Sequence, residues 1–216
     1  MIVTYVTKVV DYMKIGECRL FQNTNINTSG FQVKQYPAGY IVELEGSKST
    51  YLGIVLQGSL TVTSYTLSGN PIQISTLQEG MIFGDVLLFA NKTNTIPGNI
   101  ITQVPSSIAM IPYDLVETYL ISNHQFLKNF LGLLTDKVHE YNMNSKLLSQ
   151  DTLRDKILFF LRSETLKQQS SVIEMNMTKE ELANKLHVQR PSLSRELIHM
   201  RKDGLIDFDR WTITLK

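Results

Sequence analysis

The sequence predicts an α+β chain in three parts: an N-terminal antiparallel β-barrel (residues 1–121), one long helix (122–149) and a C-terminal winged helix-turn-helix (150–216). Three observations carry this. Between Phe31 and Ile111, short runs rich in Val, Ile, Thr and Tyr alternate with turn signals. From Ser122 to Leu148, apolar residues recur at near-heptad steps. From Thr178 onward, two amphipathic segments flank a three-residue connector and run into a hairpin pattern.

The barrel comes first. Pro37–Gly39, Gly46, Gln57–Gly58, Ser68–Pro71, Glu79–Gly80 and Pro97–Asn99 punctuate strand-like runs, the spacing of an antiparallel sandwich or barrel. Leu60-Thr61-Val62-Thr63 and Ile72-Gln73-Ile74-Ser75 alternate with period two, as half-buried strands do.

The long helix opens at Ser122, which forms a capping box with Gln125. Its seam is Leu127, Phe130, Leu134, Val138, Tyr141 and Leu148, with Ser145 filling the gap. Such a helix is roughly 40 Å long at 1.5 Å per residue. Phe126, Leu131 and Leu133 widen the stripe, so two surfaces are needed to cover it. One is the chain's own barrel and the other a second copy, so the expectation is a homodimer.

The last part opens with a helix capped by Asp151 and running through Leu153, Ile157, Phe160 and Leu161, followed by a polar loop, Gln168–Ser171. Thr178 and Glu181 form a capping box for the next helix, whose Leu182, Ala183 and Leu186 face inward. His187-Val188-Gln189 is the connector, with Val188 under the turn. Pro191 sits in the first turn of the second helix, and Gly204 closes that helix after Lys202. Leu193, Leu197 and Met200 form its core face. Ser192, Arg195, His199 and Lys202 form a polar, basic face, and Arg190 precedes the helix. Leu205–Phe208 and Trp211–Leu215 make the wing, joined through Asp209-Arg210. A basic helix after a tight turn fits the major groove of double-stranded DNA. Guanidinium forks to guanine edges, while hydroxyls and helix starts hold phosphates. The candidate DNA-binding set is therefore Thr178, Arg190, Ser192, Ser194, Arg195, His199 and Lys202.

Composition agrees in part. The 216 residues are 43% hydrophobic with a net charge of +1, so bulk charge does not point to nucleic acid. Its distribution does: residues 1–150 carry −1 and residues 151–216 carry +2, and six of seven arginines lie from Arg154 onward. The single cysteine, Cys18, reads as an ordinary thiol of a reducing compartment. The stretch Met1–Lys14 lacks a signal-peptide layout, and no apolar run approaches the ~20 residues of a membrane span. A cytoplasmic protein without membrane contact is expected.

The whole of residues 15–216 resembles the Crp/Fnr family, that of the cyclic AMP receptor protein. The stretch Tyr51-Leu52-Gly53-Ile54-Val55-Leu56-Gln57-Gly58-Ser59-Leu60-Thr61-Val62 is similar to that family's "Y-x-I-L-x-G-x-V-x-V" hairpin. Glu79-Gly80-Met81-Ile82-Phe83-Gly84-Asp85-Val86-Leu87-Leu88 is similar to its "x-G-x-x-F-G-E-x-x-L" segment. The resemblance implies a cyclic-nucleotide-binding-domain-like jelly roll for the barrel and a transcription regulator, with RNA polymerase as a further partner. It also puts Arg190 and Arg195 on the family's two base- or phosphate-contacting arginine positions, with Ser192 and Ser194 between them. Pro191 stands where the family often has Glu, and proline cannot accept from cytosine N4. The operator should therefore differ from the best-known consensus.

The sensor departs further. Cyclic-nucleotide binders of the family carry a run like "F-G-E-L-A-L … P-R-x-A-T", with Glu on the ribose and Arg on the phosphate. Here Glu is shortened to Asp85 and the second stretch is Ile96-Pro97-Gly98-Asn99-Ile100-Ile101-Thr102. No arginine lies between Arg19 and Arg154, and Lys92 is the only nearby cation. A buried phosphodiester without a paired cation is costly, so cyclic AMP is disfavoured as a cofactor. Haem and iron–sulfur are disfavoured by the lack of cysteine clusters and spaced histidines. What remains is a different small effector, no effector, or redox reading through Cys18. The resemblance extends to PrfA-like regulators, which lack the nucleotide cassette. An effector between barrel and helix would touch Gly84, Asp85 and Val86, and by gapless matching from Tyr113 also Tyr141 and Asn142; a seam role for Tyr141 competes with this.

The alternative reading is a small-molecule-binding β-barrel module, or cupin-like enzyme, with a C-terminal protein-interaction domain. Metal-dependent cupins need converging histidines, and residues 31–111 contain none. No catalytic set is legible either, so no enzymatic activity and no metal are expected.

Overall fold

The computed structural model describes residues 12–90 and 95–216, at backbone level only for 12–14. Lys92 and most of the Met1–Lys14 stretch lie outside the described residues. The chain separates into two compact units, Met1–Leu134 and Thr135–Lys216, so the division falls inside the long helix.

Among the described residues of the first unit, eight strands form two four-stranded antiparallel sheets. One has the order β1-β8-β3-β6, built from Gln32–Tyr36, Ser106–Pro112, Tyr51–Gln57 and Ile82–Phe83. The other has the order β2-β7-β4-β5, built from Ile41–Glu43, Asn99–Thr102, Leu60–Tyr65 and Pro71–Leu77. The expected barrel thus takes the form of a jelly-roll sandwich with open sheets. Helices α1 (Tyr12–Glu17), α2 (Asp85–Leu88), α3 (Tyr113–Ser122) and α4 (His124–Leu148) accompany the sheets.

Strand β3 shows why the sandwich needs helices on one side. Its residues point alternately to opposite faces. Val55 joins Leu60, Val62, Ile100 and Ile108 between the sheets. Leu52, Ile54 and Leu56 point the other way, onto Phe21, Val116, Phe126 and Phe130 of the helical layer. With both faces buried, the strand reads as a nearly continuous apolar run. Gly53 is required by its neighbour: a Cβ there would lie 2.1 Å from Cζ of Phe83. A hydrogen bond from Tyr51 Oη to Glu43 ties the two sheets together.

Several expected boundaries move. The long helix starts at His124, two residues after Ser122, and the Ser122–Gln125 capping box does not form. Ser122 Oγ donates instead to the Thr118 carbonyl at 2.7 Å, ending α3. Asn123 Oδ1 accepts from the Phe126 amide at 2.9 Å and starts α4. α3 falls within residues expected to be barrel, because its buried Val116 and Leu120 alone give too short an apolar pattern to signal a helix.

In the second unit, α5 (Leu153–Gln168) is capped by Thr152, whose Oγ1 accepts from Asp155 N, and not by Asp151. Gln168 belongs to this helix, and Ser170–Ser171 lead into an unforeseen strand, β9 (Val172–Glu174). Helices α6 (Lys179–Lys185) and α7 (Arg190–Lys202) follow, then β10 (Ile206–Phe208) and β11 (Thr212–Leu215). The wing is a three-stranded sheet, β10-β11-β9. Leu182, Ala183, Leu186, Leu193, Leu197 and Met200 are all buried in one core with Ile157, Phe160 and Ile213.

Candidate nucleic-acid interface

The α6–α7 pair is held by local chemistry that the sequence dictates. Thr178 Oγ1 accepts from the Glu181 amide at 3.1 Å, and Glu181 accepts from the Thr178 amide at 2.6 Å. The Thr178 amide first, then its hydroxyl, which donates to the same carboxylate at 2.8 Å, hold the Glu181 carboxyl below its usual range. His187 takes φ +55° in the connector, and Val188 packs partly buried on the core. Arg190 is the first residue of α7, not a residue before it, because Pro191 occupies the first turn. At the other end, Gly204 has φ +73°. Its amide donates to Arg201 O and that of Leu205 to Met200 O, both at 3.0 Å, the Schellman pattern.

The exposed arc of α7 is wider than the four residues read from the sequence. Arg190, Arg195, His199 and Lys202 are exposed, and Ser192 and Ser194 are half-buried. Thr178 is exposed at the start of α6. By helical periodicity, Ser192, Arg195, His199 and Lys202 share one side, whereas Arg190 and Arg201 fall three turns apart on another. That second side lines an open groove of about 980 Å³ between α7, the start of α6 and the wing. So the structure brings Arg195, His199 and Lys202 together and turns Arg190 toward the wing.

Sequence reasoning missed the wing as a site. Asp209 Oδ1 accepts from Trp211 N at 2.6 Å and Thr212 N at 2.7 Å, which fixes the turn. The same two bonds hold the Asp209 carboxyl down. The turn presents Arg210 with its guanidinium 4.6 Å from the exposed Trp211 ring. The available signal was the unusual Asp-Arg-Trp turn itself.

The other expected residues are placed as follows. Gly84, with φ +80°, precedes α2, and its carbonyl accepts from Tyr113 Oη at 2.8 Å. Asp85 is buried and Val86 exposed. Tyr141 and Asn142 lie exposed in the second part of α4. Of the seam residues, Phe130 is enclosed in the core of its own unit (2% exposed) and has nothing to offer a second chain. Leu127, Leu134 and Leu148 are half-buried, while Val138 and Tyr141 are exposed. Cys18 is buried, and burial first, then Glu17, pushes its thiol up. Among the described residues no His, Cys, Asp and Glu cluster could hold a metal, and no helix is long and apolar enough to cross a membrane.

A jelly roll followed by a winged helix-turn-helix with a basic second helix defines a DNA-binding transcription regulator. Two family models match the chain: a cyclic nucleotide-binding domain over residues 33–123 and a Crp-like helix-turn-helix domain over residues 156–216. The chain belongs to the Crp/Fnr family. It is 17% identical over 201 residues to the global nitrogen regulator of Synechococcus elongatus, covering 91% of this chain and 90% of that one. Solved structures share the fold. CooA of Carboxydothermus hydrogenoformans, a double mutant, superposes with a TM-score of 0.69 at 16% identity, covering 97% of this chain and 93% of that chain. The c-di-GMP-responsive regulator CLP of Xanthomonas campestris gives 0.62 at 18% identity, covering 95% and 99%.

Proposed function

We propose that this chain acts as a homodimer that binds a specific operator without needing a cyclic nucleotide, and that Thr178, Arg190, Ser192, Ser194, Arg195, His199 and Lys202 are its DNA contacts. The observation that carries the dimer is the surface of α4. Leu131, Val138 and Tyr141 stand 53%, 59% and 65% exposed, and with Leu134 they follow heptad steps. An apolar row of that period is covered best by its own copy about a twofold axis. Two α7 helices then enter successive major grooves about 34 Å apart. An activator of this kind would present a further surface to RNA polymerase.

Independence from cyclic nucleotides rests on charge. The described sandwich has no arginine to meet a phosphate, while Glu43 and Asp85 both bear on Tyr113. Glu43 already accepts from Tyr51, whose hydroxyl burial and this bond keep firmly protonated. A phosphodiester placed here would meet carboxylates.

The test is sedimentation of the purified chain followed by titration of its DNA with and without cyclic AMP. A mass of two chains and an unchanged DNA affinity are expected. A single-chain mass at working concentration contradicts the dimer, and a cyclic-AMP-dependent rise in affinity contradicts the independence.

A further inference from the structure

We infer that the groove between the wing and the starts of α6 and α7 is a binding site for a small amphipathic anion. Its volume, about 980 Å³, falls at the upper end of the range for small-molecule sites. Its wall and floor are apolar: Met175, Met177, Leu182, Ile213 and the rings of Phe208 and Trp211. Methionines suit a floor that must adapt to its occupant.

Its rim is cationic. Lys179, Arg190, Arg201 and Arg210 line it. Three of them are held there by aromatic rings. Lys179 Nζ lies 5.0 Å from the Phe208 centroid, the Arg201 guanidinium 3.7 Å from the same ring, and Arg210 4.6 Å from Trp211. The two lining carboxylates are engaged elsewhere. Glu181 accepts from the Thr178 amide and hydroxyl, and Asp209 from two wing amides. Arg201 is also paired with Asp207 at 3.1 Å, and Arg190 lies only 3.9 Å from Glu180 with 62% of its side chain exposed. Lys179 and Arg210 therefore remain to meet an incoming negative charge, and Arg190, loosely held by Glu180, can turn from that pair to join them.

A DNA strand alone suits this groove poorly. Its phosphates would meet the rim and leave the methionine floor uncovered. A carboxylate at the rim with a hydrocarbon tail over Met175, Met177 and Trp211 satisfies both. Since Arg190 belongs to α7, an occupant takes that guanidinium away from a duplex. This regulatory consequence rests on the DNA reading; the binding site does not.

Trp211 is the only tryptophan of the chain and forms part of the wall, so its emission reports occupancy directly. The full chain is titrated with dodecanoate below its micelle concentration, with dodecyltrimethylammonium as the cationic control. A saturable blue shift with dodecanoate only is expected, weakened at least tenfold in Lys179→Glu and in Arg210→Glu. Both side chains are on the surface, and circular dichroism verifies that each variant is folded. No shift, an equal response to the cation, or full binding by both folded variants overturns the site. With labelled DNA present, dodecanoate saturation should release the duplex. DNA that stays bound at saturation overturns the regulatory consequence, whereas failure to bind DNA in the absence of dodecanoate counts against the DNA reading instead.

Discussion

Arg154, near the start of α5, holds Glu196 in the middle of α7: its Nε donates to Oε1 at 2.7 Å. The same guanidinium reaches Asp203 just beyond the helix, also at 2.7 Å. The two carboxylates of this stretch are thereby neutralised on the side that faces α5. The opposite side keeps Arg195 and Lys202 exposed, with His199 beside them, its Nδ1 3.9 Å from Oε2 of the already engaged Glu196. Both bonds raise the Arg154 pKa, so its guanidinium stays charged.

Arg154→Ala should weaken DNA binding several-fold without touching the duplex. Glu196 and Asp203 would then add negative charge to the approach, and α7 would lose a brace. The readout is DNA affinity at several salt concentrations. The affinity should fall at each, while its slope against salt stays the same, because no phosphate contact is lost.

Arg195→Ala and Lys202→Ala should differ in kind. The first should cost about 1–3 kcal/mol per half-site and relax sequence preference, if Arg195 reads a base. The second should weaken all sequences alike and reduce the salt slope by about 1 per contact. Competition binding with variant operators separates the two outcomes.

Val138→Glu should dissociate the dimer. Its side chain is 59% exposed on α4, so the folded chain tolerates the change. Two carboxylates facing across a twofold axis repel, and sedimentation should show single chains with unaltered circular dichroism.

Gly53→Ala should destabilise the first unit. The new methyl would overlap the Phe83 ring, 2.1 Å from Cζ, and that ring is buried between the sheets. Overpacking of this kind costs about 1–3 kcal/mol, to be read as a lower denaturation midpoint.

Acid should loosen the helix-turn-helix through Glu181. Its folded pKa is below the ordinary carboxylate value, so it stabilises fully above that ordinary value and loses the contribution as pH falls through the folded one. Glu181→Gln should be less stable than the parent at pH 7, and the gap should close toward pH 3 in urea titrations.

Much of this molecule was legible in its sequence because local rules and tertiary structure agree. The Thr178–Glu181 box, Pro191 and Gly204 mark helix ends by chemistry that acts within five residues. Leu193, Leu197 and Met200 are buried as their spacing requires. What stayed hidden depended on distant partners. β9 exists because it pairs with β11, Ile173 opposite Ile213, and its three residues carry no pattern of their own. Phe130 shares the heptad phase of the seam, yet the jelly roll's outer face claims it. The groove joins Met175 to Arg190 and Trp211, residues that only the fold makes neighbours.

Whether two basic α7 faces read DNA about a twofold axis is decided by selection. The full chain is mixed with a random-sequence duplex pool, and the retained DNA is sequenced over several rounds. Enrichment is expected of an inverted repeat whose half-site centres lie about one helical turn, or ~10 base pairs, apart. A pool that stays random, or one enriched only in an unrepeated motif, would contradict it.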